Sequence, residues 1–315
     1  MLGAPDQAAK ARHHTVLFYR LYEGFTGGHH KVNDYINHVD STGWCQSRIF
    51  VDPQSVKAHP WLNHPNLVNS YRPDRAGILF IGGTDWRALK NYPEIEERMP
   101  VINLIQHVRH ALPDTELYSY LRRKAYRICV SREVCDAIVS TGQCNGAVAC
   151  IPNGIALGDL PKSKQVPEID VVLAGLKRPR LAKIIESLLA QEGLSTDCLL
   201  DYLPRSQYLA RISRARVVIT LPNESEGFYL PALEAMLAGV ALVCPDCIGN
   251  RSFCQHGVTC LSPKYEAGSI ARSAKRLITQ PWLADELKKN AFTAALQYDL
   301  RRERADFIHL LGNLP

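Results

Sequence analysis

The chain has 315 residues, about twice an average domain at ~150 residues and enough for two buried cores. Its 46% hydrophobic and 22% charged residues exclude a disordered, collagen-like or coiled-coil chain. No apolar run reaches the ~18 residues of a membrane span, and the longest candidate, Leu230 to Val243, is interrupted by Glu234. The formal net charge of 37 − 31 = +6 suits an anionic ligand such as a phosphate, an anionic lipid or a nucleic acid, without choosing among them.

In chain order, Met1 to Arg12 carries Asp6, Lys10 and Arg12 and leads only into the short apolar run Val16 to Tyr19. It therefore reads as a cytosolic start rather than a secretory signal. Short β-branched runs then alternate with amphipathic stretches. Strands are expected at 15–19, 78–81, 101–105, 127–130, 148–151, 170–174, 198–200, 217–220 and 240–244. Helices are expected at 31–39, 116–123, 131–141, 180–192, 207–215, 229–238, 267–278 and 281–299. This alternation predicts an α/β chain with mostly parallel sheets. A break in apolar period at Gly158 to Glu168, with Pro161 and Pro167, marks a boundary between two domains. The ten cysteines read as buried small hydrophobes of a reduced protein, not as a disulfide framework.

The segment from Asn223 to Val240 carries the chemistry. It follows a strand, turns through Gly227 and opens a helix with Pro231 in the first turn. Glu226 sits in the loop at the helix N-terminus, and Glu234 lies inside the helix among Ala, Leu and Met. A carboxylate in that setting needs a partner. Hydroxyls of a sugar or ribose would serve, and so would a cation in a structural ion pair.

Glu226 and Glu234, with seven residues between them in E-G-F-Y-L-P-A-L-E-A-M-L-A-G-V, closely resemble the E-x7-E signature of family 4 retaining glycosyltransferases. The resemblance continues upstream from Tyr208 to Ile219, downstream through Pro245–Gly249 and His256–Gly257, and in Ala125–Ser131 and Ile151–Ile155. It implies a GT-B fold: two Rossmann-like parallel-sheet domains facing an interdomain cleft. Residues 1–157 would be the acceptor side, 158–290 the nucleotide-sugar donor domain, and 291–315 a helix crossing back to the first domain. It further implies that Glu234 holds the ribose hydroxyls and Glu226 those of the transferred sugar. Gly227, Leu230 and the amides of Phe228 and Tyr229 would complete the donor loop.

The same resemblance implies no metal and no cofactor, the co-substrate being a UDP- or GDP-linked sugar. Cations must then neutralise the diphosphate. The segment after Gly175 offers Lys177, Arg178, Arg180 and Lys183, and Arg178 with Lys183 fits the family register better than Lys177 and Arg180. A cation is disfavoured at a helix N-terminus, which argues that an anion is expected there. In the first half, Gly27 and Gly28 resemble the glycine pair that lets backbone approach donor phosphate and acceptor, or else mark an ordinary turn. His107 matches the family histidine near the transferred sugar, or is a satisfied loop histidine. His107 with His110, and Cys244 with Cys247, lack the second ligand pair of a zinc site. Asp85 reads chiefly as a helix cap.

The activity implied is retaining transfer of a hexose to a hydroxyl of a glycan, glycolipid or small-molecule acceptor by a front-face route. A hydrolase or epimerase on the same fold, or a non-catalytic nucleotide-sugar-binding protein, stays open at this level. Nucleic acid is not expected as a partner, since no recognition motif occurs. From Tyr118 to Arg127 aromatics interleave with cations. That suits an interfacial helix at the inner face of the plasma membrane, and equally a solvated face with tyrosines packed beneath.

Overall fold

The computed structural model describes residues 14–24, 27–160 and 166–315. The expected cytosolic start, Met1 to Arg12, and the centre of the expected linker, Pro161 to Gln165, lie outside the described residues. The chain divides into two units. The first holds the described residues through Val130, then 134–151 and 304–315; the second holds 131–133 and 152–303.

The first unit is built from β1 (His14–Arg20), α1 (Gly27–Asp40), β2 (Cys45–Val51), β3 (Ile78–Gly82), α2 (Ile95–Arg98) and β4 (Val101–Ile105). It continues with α3 (Glu116–Ser119), β5 (Tyr126–Cys129), α4 (Arg132–Val139) and β6 (Val148–Cys150). The strands form one six-stranded sheet in the order β2-β1-β3-β4-β5-β6, every pairing parallel. All five residues of β3 and of β4 are buried, because helices on both faces of a parallel sheet demand continuous apolar runs. Phe18, Tyr35 and Phe80 pack with Phe307, whose ring lies 4.8 Å from that of Tyr35.

The second unit contains β7 (Ile169–Ala174), α5 (Pro179–Gln191), β8 (Thr196–Leu199), α6 (Arg205–Ile212), β9 (Ala215–Thr220), α7 (Leu230–Leu237) and β10 (Ala241–Val243). Helices α8 (Ala267–Thr279) and α9 (Pro281–Ala295) follow, and α10 (Leu300–Gly312) starts in this unit and belongs to the first from Arg304 on. Its four parallel strands run β10-β9-β7-β8. Gly154 abuts the start of α10, where an added Cβ would come within 2.6 Å of the Leu300 Cα. The buried Glu303 carboxylate accepts the Gly154 N–H.

The structure departs from the sequence expectation at three places. Strand β2 was not expected, because its exposed Gln46 and Arg48 and buried Ser47 hide the alternation; Ser47 is satisfied by Asp40 through its N–H and hydroxyl, each at 2.9 Å. The helix expected over 281–299 stops at Ala295, and a 3₁₀ turn at Leu296–Tyr298 separates it from α10.

The helix expected over 116–123 is also corrected, since α3 gives way to a 3₁₀ turn at Tyr120–Arg122. The cations of the stretch are engaged internally. Arg123 forks onto Glu96 with two 2.7 Å bonds and covers the Trp86 ring, and Lys124 pairs with Glu97. Arg127 is fully buried and donates to the carbonyls of Tyr120, Leu121, Arg123, Ala125 and Asn145 at 2.6–3.2 Å. No helix among the described residues is long and apolar enough to cross a membrane.

Candidate functional site

In the sheet of the second unit, β7 leads outward to β8 while β9 leads the other way to β10. Successive helices therefore depart to opposite sides, and a crevice opens above the carboxyl ends of β7 and β9, where open α/β sheets bind ligands. The two loops that rim it carry Gly175–Arg178 and Leu221–Tyr229, so strand order brings most of the candidate donor residues to one edge. Gly175 is required there because a side chain would collide with Ala182 of α5.

Lys177 Nζ lies 2.6 Å from Glu226 Oε1 and 5.3 Å above the Tyr229 ring. Glu226 Oε1 also accepts the Asn223 N–H at 3.2 Å. Arg178 caps α5, with its guanidinium 5.4 Å from the Tyr265 ring. The Tyr265 hydroxyl donates to the Pro222 carbonyl in the loop after β9. Burial pushes that phenol up to about 12 against the influence of Arg178. The Nε of Arg178 is buried without a hydrogen-bond partner among the described residues. Arg180 is exposed in the first turn of α5. Lys183, placed on the diphosphate by sequence register, instead pairs with Glu186 at 2.8 Å on an exposed face and feels Cys198 of β8. The structure thus brings Lys177 and Arg178 to the crevice and sends Lys183 toward the edge strand.

Glu234 is only 6% exposed. Arg205 at the start of α6 reaches it, Nη1 to Oε1 at 3.0 Å. Burial lifts its carboxyl to about 7, opposed by Arg205 and reinforced by the charge of Asp159. Sequence reasoning missed this cation, which lies far back along the chain, although a buried carboxylate is itself a signal that one is needed.

The donor loop is held from below. The Tyr229 N–H donates to the Gly249 carbonyl at 2.9 Å, so that amide is engaged within the loop. A Cβ on Gly249 would lie 2.5 Å from Gly227 C and Phe228 N, so only glycine lets the two loops meet. Gly227 is buried, the Phe228 ring packs against Phe253 and Tyr298, and Leu230 opens α7 half-buried. Cys244 and Cys247 are both buried around Asn250, whose amide donates to Cys244 Sγ and to the Pro245 carbonyl and accepts the Cys247 N–H.

In the first unit, β1 and β3 are adjacent and diverge in the same manner, so their carboxyl ends form an equivalent crevice. Gly27 and Gly28 start α1 there, and a Cβ at Gly28 would meet the Gln106 side chain at 3.1 Å. Arg20 at the end of β1 donates to Asp85 at 2.9 Å and contacts His29 Nδ1 at 3.0 Å, all three being buried. Asp85 also accepts the Gly82 N–H at 2.9 Å, as its capping role requires. Burial and Arg20 hold His29 down at about 4, so it is neutral at physiological pH. His107 caps the 3₁₀ turn after β4, its Nδ1 accepting the Arg109 N–H at 3.1 Å. His110 is buried and pushed down to about 4.

Two parallel α/β units of this topology define the GT-B fold, and whole-chain comparison agrees. HepE of Anabaena in complex with UDP superposes with a TM-score of 0.75 at 15% identity, over 95% of this chain and 100% of that one. The same protein in complex with UDP-glucose gives 0.73 at 15% identity, over 96% and 100%. Sucrose-phosphate synthase from Thermosynechococcus elongatus gives 0.67 at 13% identity, over 95% and 98%. At these identities the likeness is one of fold. More narrowly, residues 156–294 match the family model described as Glycosyl transferases group 1, which spans the β7/β9 crevice and both glutamates. No curated protein matches the sequence.

Proposed function

We propose that the chain is a retaining glycosyltransferase that moves a hexose from a UDP- or GDP-linked donor to a hydroxyl of a glycan, glycolipid or small-molecule acceptor, without a metal. The observation that carries this reading is the Lys177–Glu226 pair in the β7/β9 crevice, at 2.6 Å, inside the segment matched by the glycosyltransferase family model. The crystal complexes of the similarly folded HepE with UDP and UDP-glucose support a nucleotide sugar as donor.

On this reading the diphosphate replaces Glu226 as the partner of Lys177, and Arg178 and the N-terminus of α5 complete its neutralisation. Glu226, released, accepts from hydroxyls of the sugar, and Glu234 from those of the ribose. Retention without a protein nucleophile follows a front-face route. The bond from the anomeric carbon to the diphosphate oxygen breaks, the acceptor oxygen bonds to the same face, and its proton passes to the leaving phosphate. The protein supplies position and electrostatics. Gly27 and Gly28 are assigned to close backbone approach to the donor phosphate and the acceptor, and His107 to the transferred sugar.

The test is release of free nucleotide from UDP-glucose, UDP-galactose, UDP-N-acetylglucosamine and GDP-mannose, with and without lysate glycans. At least one donor should give acceptor-dependent release, reduced about a hundredfold or more by Glu226→Ala. Undiminished turnover in Glu226→Ala contradicts the reading. Binding without turnover makes the chain a nucleotide-sugar-binding protein instead.

A further inference from the structure

Arg205 belongs to no motif and is given no role in the transfer described above. Its geometry is unlike that of a purely structural ion pair. A guanidinium serving only to neutralise a buried carboxylate gains most from a parallel two-bond fork. Arg205 instead offers Glu234 a single nitrogen, Nη1, at 3.0 Å. Its Nε stands 3.5 Å from Asp159 Oδ2 without hydrogen-bond geometry, and its Nη2 is buried and bonds nothing among the described residues. The hydroxyl of Tyr208, one turn along α6 and within the field of Glu234, is also buried without a partner among the described residues. Unmade hydrogen bonds of this kind are costly in a closed interior and are commonly completed by a ligand.

We infer that Arg205 is a positioning residue for the donor nucleotide: held on Oε1 of Glu234 through one nitrogen, it orients the carboxylate toward the ribose hydroxyls and favours its charged form. The inference rests on the proposed role of Glu234 in ribose binding. The groups facing Glu234 are few. Arg205 and Tyr208 come from α6, Asp159 comes from the 3₁₀ turn at Leu157–Asp159, and its neighbours on α7 are apolar. Arg205 alone among these favours the charged form; Asp159 and burial oppose it. A carboxylate is the stronger acceptor for a hydroxyl than a neutral acid, by about tenfold in affinity at the usual strength of charge-assisted bonds. Donor affinity should therefore rise with pH as Glu234 ionises, around a midpoint near 7.

The experiment is calorimetric titration of UDP-glucose and GDP-mannose, whose diphosphates do not titrate in the range, between pH 6 and 8.5. It compares the wild-type chain with Arg205→Gln, Arg205→Lys and Glu234→Gln, each checked for an unaltered melt. Wild-type affinity should increase through pH 7. Arg205→Gln should weaken binding about tenfold at pH 7 and regain part of it by pH 8.5, its rise displaced upward. Arg205→Lys should follow the wild-type profile, and Glu234→Gln should be weak at every pH. A loss in Arg205→Gln that is the same at all pH values, or no loss, overturns the inference while a weak Glu234→Gln leaves the ribose role intact. Glu234→Gln binding as the wild type does, or a wild type that binds neither donor, overturns both.

Discussion

Replacing Lys177 by alanine should lower kcat/KM for the nucleotide-sugar donor by about 10²–10³, whereas Lys183→Ala should change it by no more than about twofold. The two lysines lie on the same βα connection and differ only in where the backbone sends them. Lys177 precedes α5 in the loop above β7, within 2.6 Å of Glu226 and over the Tyr229 ring. Lys183 lies a turn and a half further, paired with Glu186 at an exposed position where such pairs contribute little. A diphosphate at the crevice meets the first and not the second. The charge of one preorganised cation on a developing leaving group is of the size that a single lost donor removes in comparable sites. Because Glu226 is half-buried rather than sealed off, it can rehydrate when Lys177 is gone, so the melting temperature of Lys177→Ala should stay within a few degrees of wild type. Steady-state kinetics with both variants decides it, and a damaging Lys183→Ala beside a harmless Lys177→Ala would reverse the assignment.

Arg127→Met should be the most destabilising of the substitutions considered, at about 3–5 kcal/mol, a shift of roughly 10 °C or more in the melting temperature. Among the described residues the guanidinium has no carboxylate partner in its hydrogen-bond shell. It closes a set of five backbone carbonyls, from the 3₁₀ turn at Tyr120–Arg122, the residues just after it and the loop at Asn145. Methionine fills much of the volume but takes the side-chain donor from the Arg123 and Ala125 carbonyls and the second donor from those of Tyr120, Leu121 and Asn145, which keep the N–H groups of Arg123, Asn145 and Ala125, in a site sealed from water. Burial drives the guanidinium below its ordinary pKa, yet its intrinsic basicity keeps it charged. Lysine, with one short point charge, cannot span the set and should recover only part of the loss. Thermal melts of Arg127→Met and Arg127→Lys test this, and a Met variant within 2 °C of wild type would show that the carbonyls are satisfied by other means.

Much of the architecture was legible because buried parallel strands have few ways to be written. β3, β4, β7 and β9 are apolar runs between turn residues, and each was placed within a residue or two. β2 escaped because it is an edge strand whose exposed Gln46 and Arg48 alternate with a serine satisfied by Asp40. The 116–123 region has helical composition, but the carbonyls that would close further helical turns are bonded to Arg127 instead. The same division holds at the site. Glu226 and Glu234 were legible because a loop and a helix fix them by local spacing. Which lysine after Gly175 meets Glu226 was not, since spacing cannot say how the loop leaves β7. The pairing of Arg205 with Glu234 depends on how α6 and α7 pack, and the sequence carries only the requirement for a cation. The +6 excess resolves in part into the cations of the β7/β9 crevice and the internally bonded residues around Arg127.

A nucleotide diphosphate entering the β7/β9 crevice should part Lys177 from Glu226. A crystal structure of the chain with UDP or GDP, whichever binds more tightly, measures this directly. The diphosphate should lie at the N-terminus of α5 against Lys177 and Arg178, with Glu234 on the ribose and the Lys177–Glu226 contact broken. A nucleotide bound elsewhere, or in the crevice with that contact intact at its present 2.6 Å, would contradict it.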